Sequence, residues 1–388
     1  MFGAQEEDDF KVLWEDGQRV FRRGCRRDAA GNSKAILALA AAAEHPTPSI
    51  LDSFAREYEL RNDLDKAWAV RPLDLVQGSR TVLVLEDPGG EPLDRLLGDP
   101  MEMGRFLDLA IGIISALGMV HRHGLIHKDV KPANILVNCA DGQVRLTGFG
   151  IASRLPRERQ TPEPPEFIAG TLPYMAPEQT GRMNRSIDPR SDLYSFGVTL
   201  YEMLTGGLPF TASDPMEWVH CHIARQAVSP VERSKNIPSI VSAIVMKLLA
   251  KTPEDRYQTA GGVAWDLQRC LADWETAGHV IAFALGTHDR TQQLVIPEKL
   301  YGRDVEISTL LRAFERVVGQ ASLEVVVVSG YSGIGKSSVV NELHKVIVPP
   351  PRYLYCRKVR PTSAGHSLFD SDTSLPGSDP PDFEWPTR

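Results

Sequence analysis

The chain has 388 residues, 42% apolar and 24% charged, with a formal net charge of −7. That length suggests two or three domains with packed cores, and an acidic balance without a basic block argues against nucleic-acid binding or a polybasic membrane role. Five scattered cysteines (Cys25, Cys139, Cys221, Cys270, Cys356) form no Cys-x-x-Cys pair, the apolar run Ala35–Ala43 is too short to span a bilayer, and the acidic Met1 to Asp9 lacks a secretion-signal pattern. Free thiols in a reducing cytoplasm, with no membrane span, are therefore expected.

In chain order, two strands are expected at Phe10–Trp14 and Arg19–Arg23 around Glu15-Asp16-Gly17-Gln18. A third follows the turn Asp28–Asn32, where Lys34 precedes Ala35-Ile36-Leu37-Ala38-Leu39-Ala40. Phe54, Tyr58 and Leu60 give part of an amphipathic helix over Pro48–Leu60. Strands around Trp68–Leu73 and Thr81–Leu85 lead into the turn signal Glu86-Asp87-Pro88-Gly89-Gly90. Over residues 102–123, Phe106, Leu109, Ala110, Ile113, Ile114, Leu117 and Val120 share one helical face. Ile135–Asn138 and Val144–Leu146 read as a hairpin through Asp141-Gly142. Arg182, Arg185 and Arg190 read as charges on a solvated loop, and helices are expected at Leu193–Leu204, Pro215–Arg225, Ser239–Leu249 and Gly262–Trp274. His220-Cys221-His222 reads as ordinary packing, because residues two apart on a helix face different ways.

Between the long helix and the hairpin lies His127-Lys128-Asp129-Val130-Lys131-Pro132-Ala133-Asn134. It resembles the catalytic loop of a protein kinase, with Asn five residues after the Asp. Ala176-Pro177-Glu178 is similar to the family's Ala-Pro-Glu, and Ser191-Asp192-Leu193-Tyr194-Ser195-Phe196-Gly197 to its Asp-x-x-Ser-x-Gly. The resemblance covers roughly residues 10–275 and implies an α+β, bilobal fold, a small β-rich N-lobe on a helical C-lobe, over residues 1–276. It implies that Asp129 accepts a substrate hydroxyl proton, that Lys131 neutralises phosphoryl charge and that Asn134 holds magnesium. Leu85, Glu86 and Pro88 would border the adenine of ATP. Asp192 would bond the loop backbone at His127 and Lys128, Glu178 would pair with Arg256, and Thr171 matches the substrate-docking threonine. Thr161 is a possible phosphorylation site.

Several positions depart from that pattern. The loop that should cover the ATP phosphates carries only Gly17. The strand lysine falls on Leu37, Ala38 or Leu39; Lys34 is four residues and about 13 Å away, and reads as a solvated strand-edge charge. Glu57 matches the helix glutamate that pairs with that lysine, and without it reads as a solvated or Arg-paired carboxylate. Pro88 has no N–H to donate. Where the family has Asp-Phe-Gly, the chain has Gly148-Phe149-Gly150, so its main magnesium ligand is missing. Loss of one preorganised electrostatic group commonly costs ~100–1000-fold in rate. The pair His127-Lys128 lacks the arginine that receives an activating phosphate.

Residues 277–299 lack a period and read as a linker. A helical stretch then runs to Val318, and the apolar strand Glu324–Val328 feeds Gly330-Tyr331-Ser332-Gly333-Ile334-Gly335-Lys336-Ser337. This is a P-loop in its required strand-to-helix setting. With Gly330, Gly333 and Gly335 framing the loop, backbone amides of 333–337 would cradle phosphates, Lys336 would reach the β/γ-phosphates, and Ser337 would ligate Mg2+. A domain of this kind needs on the order of 150 further residues beyond this motif, so residues 300–360 read as its N-terminal part, truncated or frame-shifted near Val359, with 361–388 as a disordered tail.

The order resembles the start of large bacterial proteins joining a Ser/Thr-kinase-like domain, a signalling P-loop ATPase and a sensor histidine kinase. Three readings stand. The chain is a pseudokinase that docks a regulatory protein partner; or an active ATP- and Mg2+-dependent kinase acting on a protein substrate with Asp129 as base; or its nucleotide chemistry resides at Lys336.

Overall fold

Apolar alternation in the N-terminal part builds one antiparallel sheet. Its strands are β1 (Lys11–Glu15), β2 (Arg19–Arg27), β3 (Ser33–Ala41), β4 (Pro72–Val76) and β5 (Val82–Glu86), in the order β1-β2-β3-β5-β4. The computed structural model describes residues 10–27, 33–78, 80–154, 170–183, 185–291, 302–320, 324–331 and 334–341. Met1 to Asp9, the turn Asp28–Asn32, Thr161, Gly333, Cys356 and residues 361–388 lie outside the described residues. Helix α1 (Pro48–Glu59) starts at a proline in its first turn, which needs no N–H there. Its Ile50 and Phe54 pack with Leu13, Phe21, Leu37, Leu39 and Leu83 in the upper core.

β4 starts later than the sequence suggests. Trp68 is buried in the lower core, and Val70 N and Trp68 O bond Leu146 instead (2.8 and 2.9 Å). That stretch therefore crosses between the lobes. A small sheet of β6 (Glu91–Pro92), β7 (Ile135–Val137) and β8 (Val144–Leu146) carries the central loop.

Helix α2 (Met103–Arg122) is capped by Glu102, whose carboxylate accepts from the amides of Gly104 and Arg105. It is long and apolar enough to cross a membrane by length and composition. Phe106, Leu107, Ile113, Ile114 and Leu117 are instead buried in the lower core, so it serves as a central core helix. Around it lie α3 (Pro189–Thr205), α4 (Pro215–Ile223), α5 (Pro230–Arg233), α6 (Ser239–Leu248) and α7 (Ala260–Ala277).

Two sequence expectations change here. Arg185 and Arg190 are buried, not solvated: Arg190 grips Asp188 at 2.7 Å and Arg185 approaches Glu254 at 3.5 Å. Residues 280–291, read as linker, pack on the lower lobe. Val280, Phe283 and Leu285 join its core, and Asp289 accepts from the amides of Gln258 and Thr259 (2.6 and 2.9 Å) at the start of α7.

Further on, α8 (Asp304–Gln320) and α9 (Lys336–Asn341) bring Leu310 against Val339. Glu324–Val328 forms no regular strand; among the described residues no strand pairs with it, and Val325 and Val327 stand largely exposed.

Candidate functional site

The central loop is fixed by its backbone. Asp192, fully buried near the start of α3, accepts from His127 N (2.9 Å), Lys128 N (2.8 Å) and His121 Nε2 (2.9 Å). Burial would raise its pKa, but His121 and the loop amides outweigh that and hold it ionised below the usual range. Lys128 takes φ +66°, the one positive φ at a non-glycine among the described residues, so strain is concentrated at this turn. His127 is buried with its pKa lowered by desolvation, bonds Thr147 O (2.9 Å) and lies 4.5 Å from the Phe149 ring. The Glu178–Arg256 pair forms as the sequence implies, bidentate at 2.7 and 2.9 Å with neither side chain exposed.

Asp129, Lys131 and Asn134 come together. Asp129 is 6% exposed. One of its oxygens accepts from Thr171 Oγ1 (2.8 Å); the other accepts from Asn134 Nδ2 (2.9 Å) and lies 3.2 Å from Lys131 Nζ. Lys131 also donates to Thr171 Oγ1 at 2.5 Å. Desolvation opposes ionisation of Asp129, but Lys131, Arg19 and Thr171 together lower its pKa. The carboxylate is thus charged, with both oxygens engaged.

Asn134 Nδ2 also donates to Asp129 O (2.8 Å), while its Oδ1 is buried without a partner. Gly148 sits at φ +81°, and a Cβ there would lie 2.6 Å from Asn134 Nδ2. Asn134 therefore occupies the space beside residue 148. An Mg2+ site needs several oxygen donors, at least one of them charged. Here a single neutral amide oxygen is free, so this donor set does not fit the metal that the family implies.

On β3, Leu39 pairs across to Phe21 and Leu83 and is 3% exposed, whereas Lys34 lies exposed at the far end of the strand. Glu57 on α1 is buried rather than solvated, and among the described residues no cation lies within ion-pair distance of it. It is 1% exposed, and its carboxylate accepts from the Gly148 amide at 3.2 Å. Desolvation pushes its pKa up to about 7, against the pull of the Phe149 and Gly148 amides and Arg19. The helix acid thus anchors the Gly-Phe-Gly turn directly.

Of the adenine-facing candidates Leu85 is enclosed, while Glu86 and Pro88 are half-buried. Leu85 packs with Leu13, Phe21, Leu37 and, from the lower lobe, Leu136, each at most 2% exposed. Glu86 N is bonded to Arg71 O (2.8 Å), and Glu86 and Pro88 line a depression with Lys66, Val70, Arg71 and Arg145. Sequence reasoning missed the strap across this hinge. Arg23 on β2 donates to Asp87 (2.8 Å), Glu91 (3.3 Å) and Gly90 O (2.6 Å).

At the P-loop, Gly330 (φ +153°) and Gly335 (φ +90°) turn the backbone, and Lys336 Nζ donates to Gly330 O and Tyr331 O, both 2.8 Å. Ser337 is in the first turn of α9. Lys336 thus folds back on the two residues that open the motif.

Residues 23–264 match a protein kinase domain and residues 299–369 an AAA ATPase domain. The chain is 28% identical over 332 residues to hybrid signal transduction histidine kinase G of Dictyostelium discoideum, covering 63% of this chain and 10% of that protein. It is 38% identical over 170 residues to the serine/threonine-protein kinase PknB of Mycobacterium tuberculosis, covering 44% and 27%. It is 34% identical over 231 residues to the probable serine/threonine-protein kinase SCO3848 of Streptomyces coelicolor, covering 58% and 34%. It thus spans a tenth to about a third of the length of these relatives. With over half of its residues matched to that domain and the loop, its anchoring Asp192 and the Glu178–Arg256 pair in place, the chain belongs to the protein kinase domain family.

Proposed function

We propose that the kinase-like domain is a signalling module that engages a protein partner and transfers phosphate weakly or not at all. The observation that carries this is Gly148, where no carboxylate faces the cleft and Asn134 fills the space instead. The buried apolar run Leu37-Ala38-Leu39, where the strand lysine would fall, and the packing around Leu85 support it. Nucleotide binding is then assigned to the P-loop, through Lys336, with Ser337 as the residue that would hold Mg2+. A cytoplasmic setting fits a chain whose one membrane-length helix among the described residues is buried in the core.

A second reading, an active Ser/Thr kinase, rests on one observation: Asp129 is held ionised beside Lys131 and Thr171, as a base requires. Calorimetric titration of MgATP into the wild-type and Lys336→Ala chains tests the first reading. Binding that disappears with Lys336→Ala supports it; binding that survives undiminished places nucleotide in the kinase cleft and refutes it.

A further inference from the structure

The cleft has lost its strand lysine but kept its acids. Glu57 and Asp129 are both buried, and a buried carboxylate without a counter-charge is costly. Asp129 has Lys131; Glu57 forms no ion pair among the described residues.

A cation reaches this space from an unexpected strand. Arg19 opens β2 opposite Ala41 of β3. Side chains alternate along a strand, so Arg19 shares a face with Phe21, two residues on, which packs with Leu39 and with Phe54 of α1. That is the face under which α1 presents Glu57. Asp16, in the β1–β2 turn, accepts from Arg19 N (2.7 Å) and from its guanidinium (2.8 Å). The guanidinium also lies 5.5 Å from the Trp14 ring centroid. So tethered, the Arg19 side chain is only 19% exposed, although it sits at the tip of a hairpin.

We propose that Arg19 is the resident cation of this cleft: from β2 it supplies the positive charge missing from β3 and offsets part of the cost of burying the Glu57 carboxylate, holding α1 in place without nucleotide or metal. This rests on the reading of a cleft that does not work through bound MgATP. The electrostatics agree with the placement. Burial acts against the charge on Arg19, yet Asp129, Asp16 and Glu57 together hold it above arginine's ordinary value. Of the charged groups acting on Glu57, Arg19 favours ionisation and Asp129, itself faced by Lys131, opposes it.

The test is a double-substitution cycle on the full chain: wild type, Arg19→Met, Glu57→Gln and both, with thermal midpoints at pH 5.5 and 8.5. At pH 8.5, with Glu57 ionised, Arg19→Met should lower the midpoint by about 2–4 °C more in the wild-type background than beside Glu57→Gln. At pH 5.5, with Glu57 protonated, the two effects should add. The Glu57 titration, about 7 in the wild type, should move upward in Arg19→Met and return toward it in Arg19→Lys. Equal, additive losses at both pH values, with no movement of the titration, would overturn the proposal and leave Arg19 a packing residue. If Arg19→Met does not fold, Arg19→Gln against Arg19→Lys makes the same comparison. MgATP binding that survives Lys336→Ala would refute the underlying reading, while the Arg19–Glu57 coupling would still be decided by its own cycle.

Discussion

Asn134 and Gly148 illustrate how one residue's loss is taken up by another. Asn134 Nδ2 bonds both the backbone and the carboxylate of Asp129, and it stands where a side chain at 148 would begin. Restoring the carboxylate is therefore not enough to restore a metal site. Gly148→Asp is expected to lower the thermal midpoint by about 2–4 °C, through the left-handed backbone and the contact with Asn134. Calorimetry should find no Mg2+ binding in that cleft; tight binding would show that Asn134 yields easily.

Glu57 gives a pH signature. Its folded pKa, about 7, is raised above the unfolded carboxylate value, so the folded state binds this proton more tightly. Its stabilising contribution is full below about pH 4 and is lost as pH rises to 7, on the order of 3 kcal/mol in all. Denaturation of wild type and Glu57→Gln across pH 4–8 should show that slope in the wild type alone. Identical slopes would mean that Glu57 titrates normally. The missing Asp was legible in the sequence because Phe149-Gly150 fixes its position, and the missing lysine because Leu37, Ala38 and Leu39 are all apolar, whichever register holds. The environment of Glu57 was not, because it depends on how α1 meets the Gly-Phe-Gly turn across 91 residues of chain.

At the level of elements, periodicity located α2, α3, α6 and α7 and the β7–β8 hairpin, because each has a strong apolar face. It misplaced β4, where Trp68 is apolar for the sake of the lower core, and it took residues 280–291 for linker because three apolar residues and one capping aspartate carry no period. Glu324–Val328 has the composition of a buried strand but gains a strand's geometry only beside partners. The bond between elements with the largest expected effect is Glu178 to Arg256, which ties the Ala176-Pro177-Glu178 stretch to the loop before α7. Glu178→Ala leaves a buried guanidinium unpaired and should cost about 3–5 kcal/mol in urea denaturation. A loss below about 1 kcal/mol would mean that water reaches the arginine.

For the molecule as a whole, two regions of different chemistry share one chain. The kinase domain keeps the architecture that fixes the loop carrying Asp129, with Asp192, His127 and Phe149 assembled. The surroundings of Leu85 are packed with leucines and Phe21, and residue 148, where the family carries its magnesium ligand, lacks a carboxylate. The AAA ATPase region keeps the glycine-framed lysine. Both families were legible from short motifs; the packing around Leu85 was not, because apolar residues lining a pocket and filling it look alike in sequence. The most direct measurement is transfer of labelled γ-phosphate by the Lys336→Ala chain, to itself and to a generic Ser/Thr protein substrate, with Asp129→Asn added as control. Transfer no greater than in that control, from folded protein, is the expected result. Transfer that vanishes with Asp129→Asn would contradict it and make the domain a working kinase.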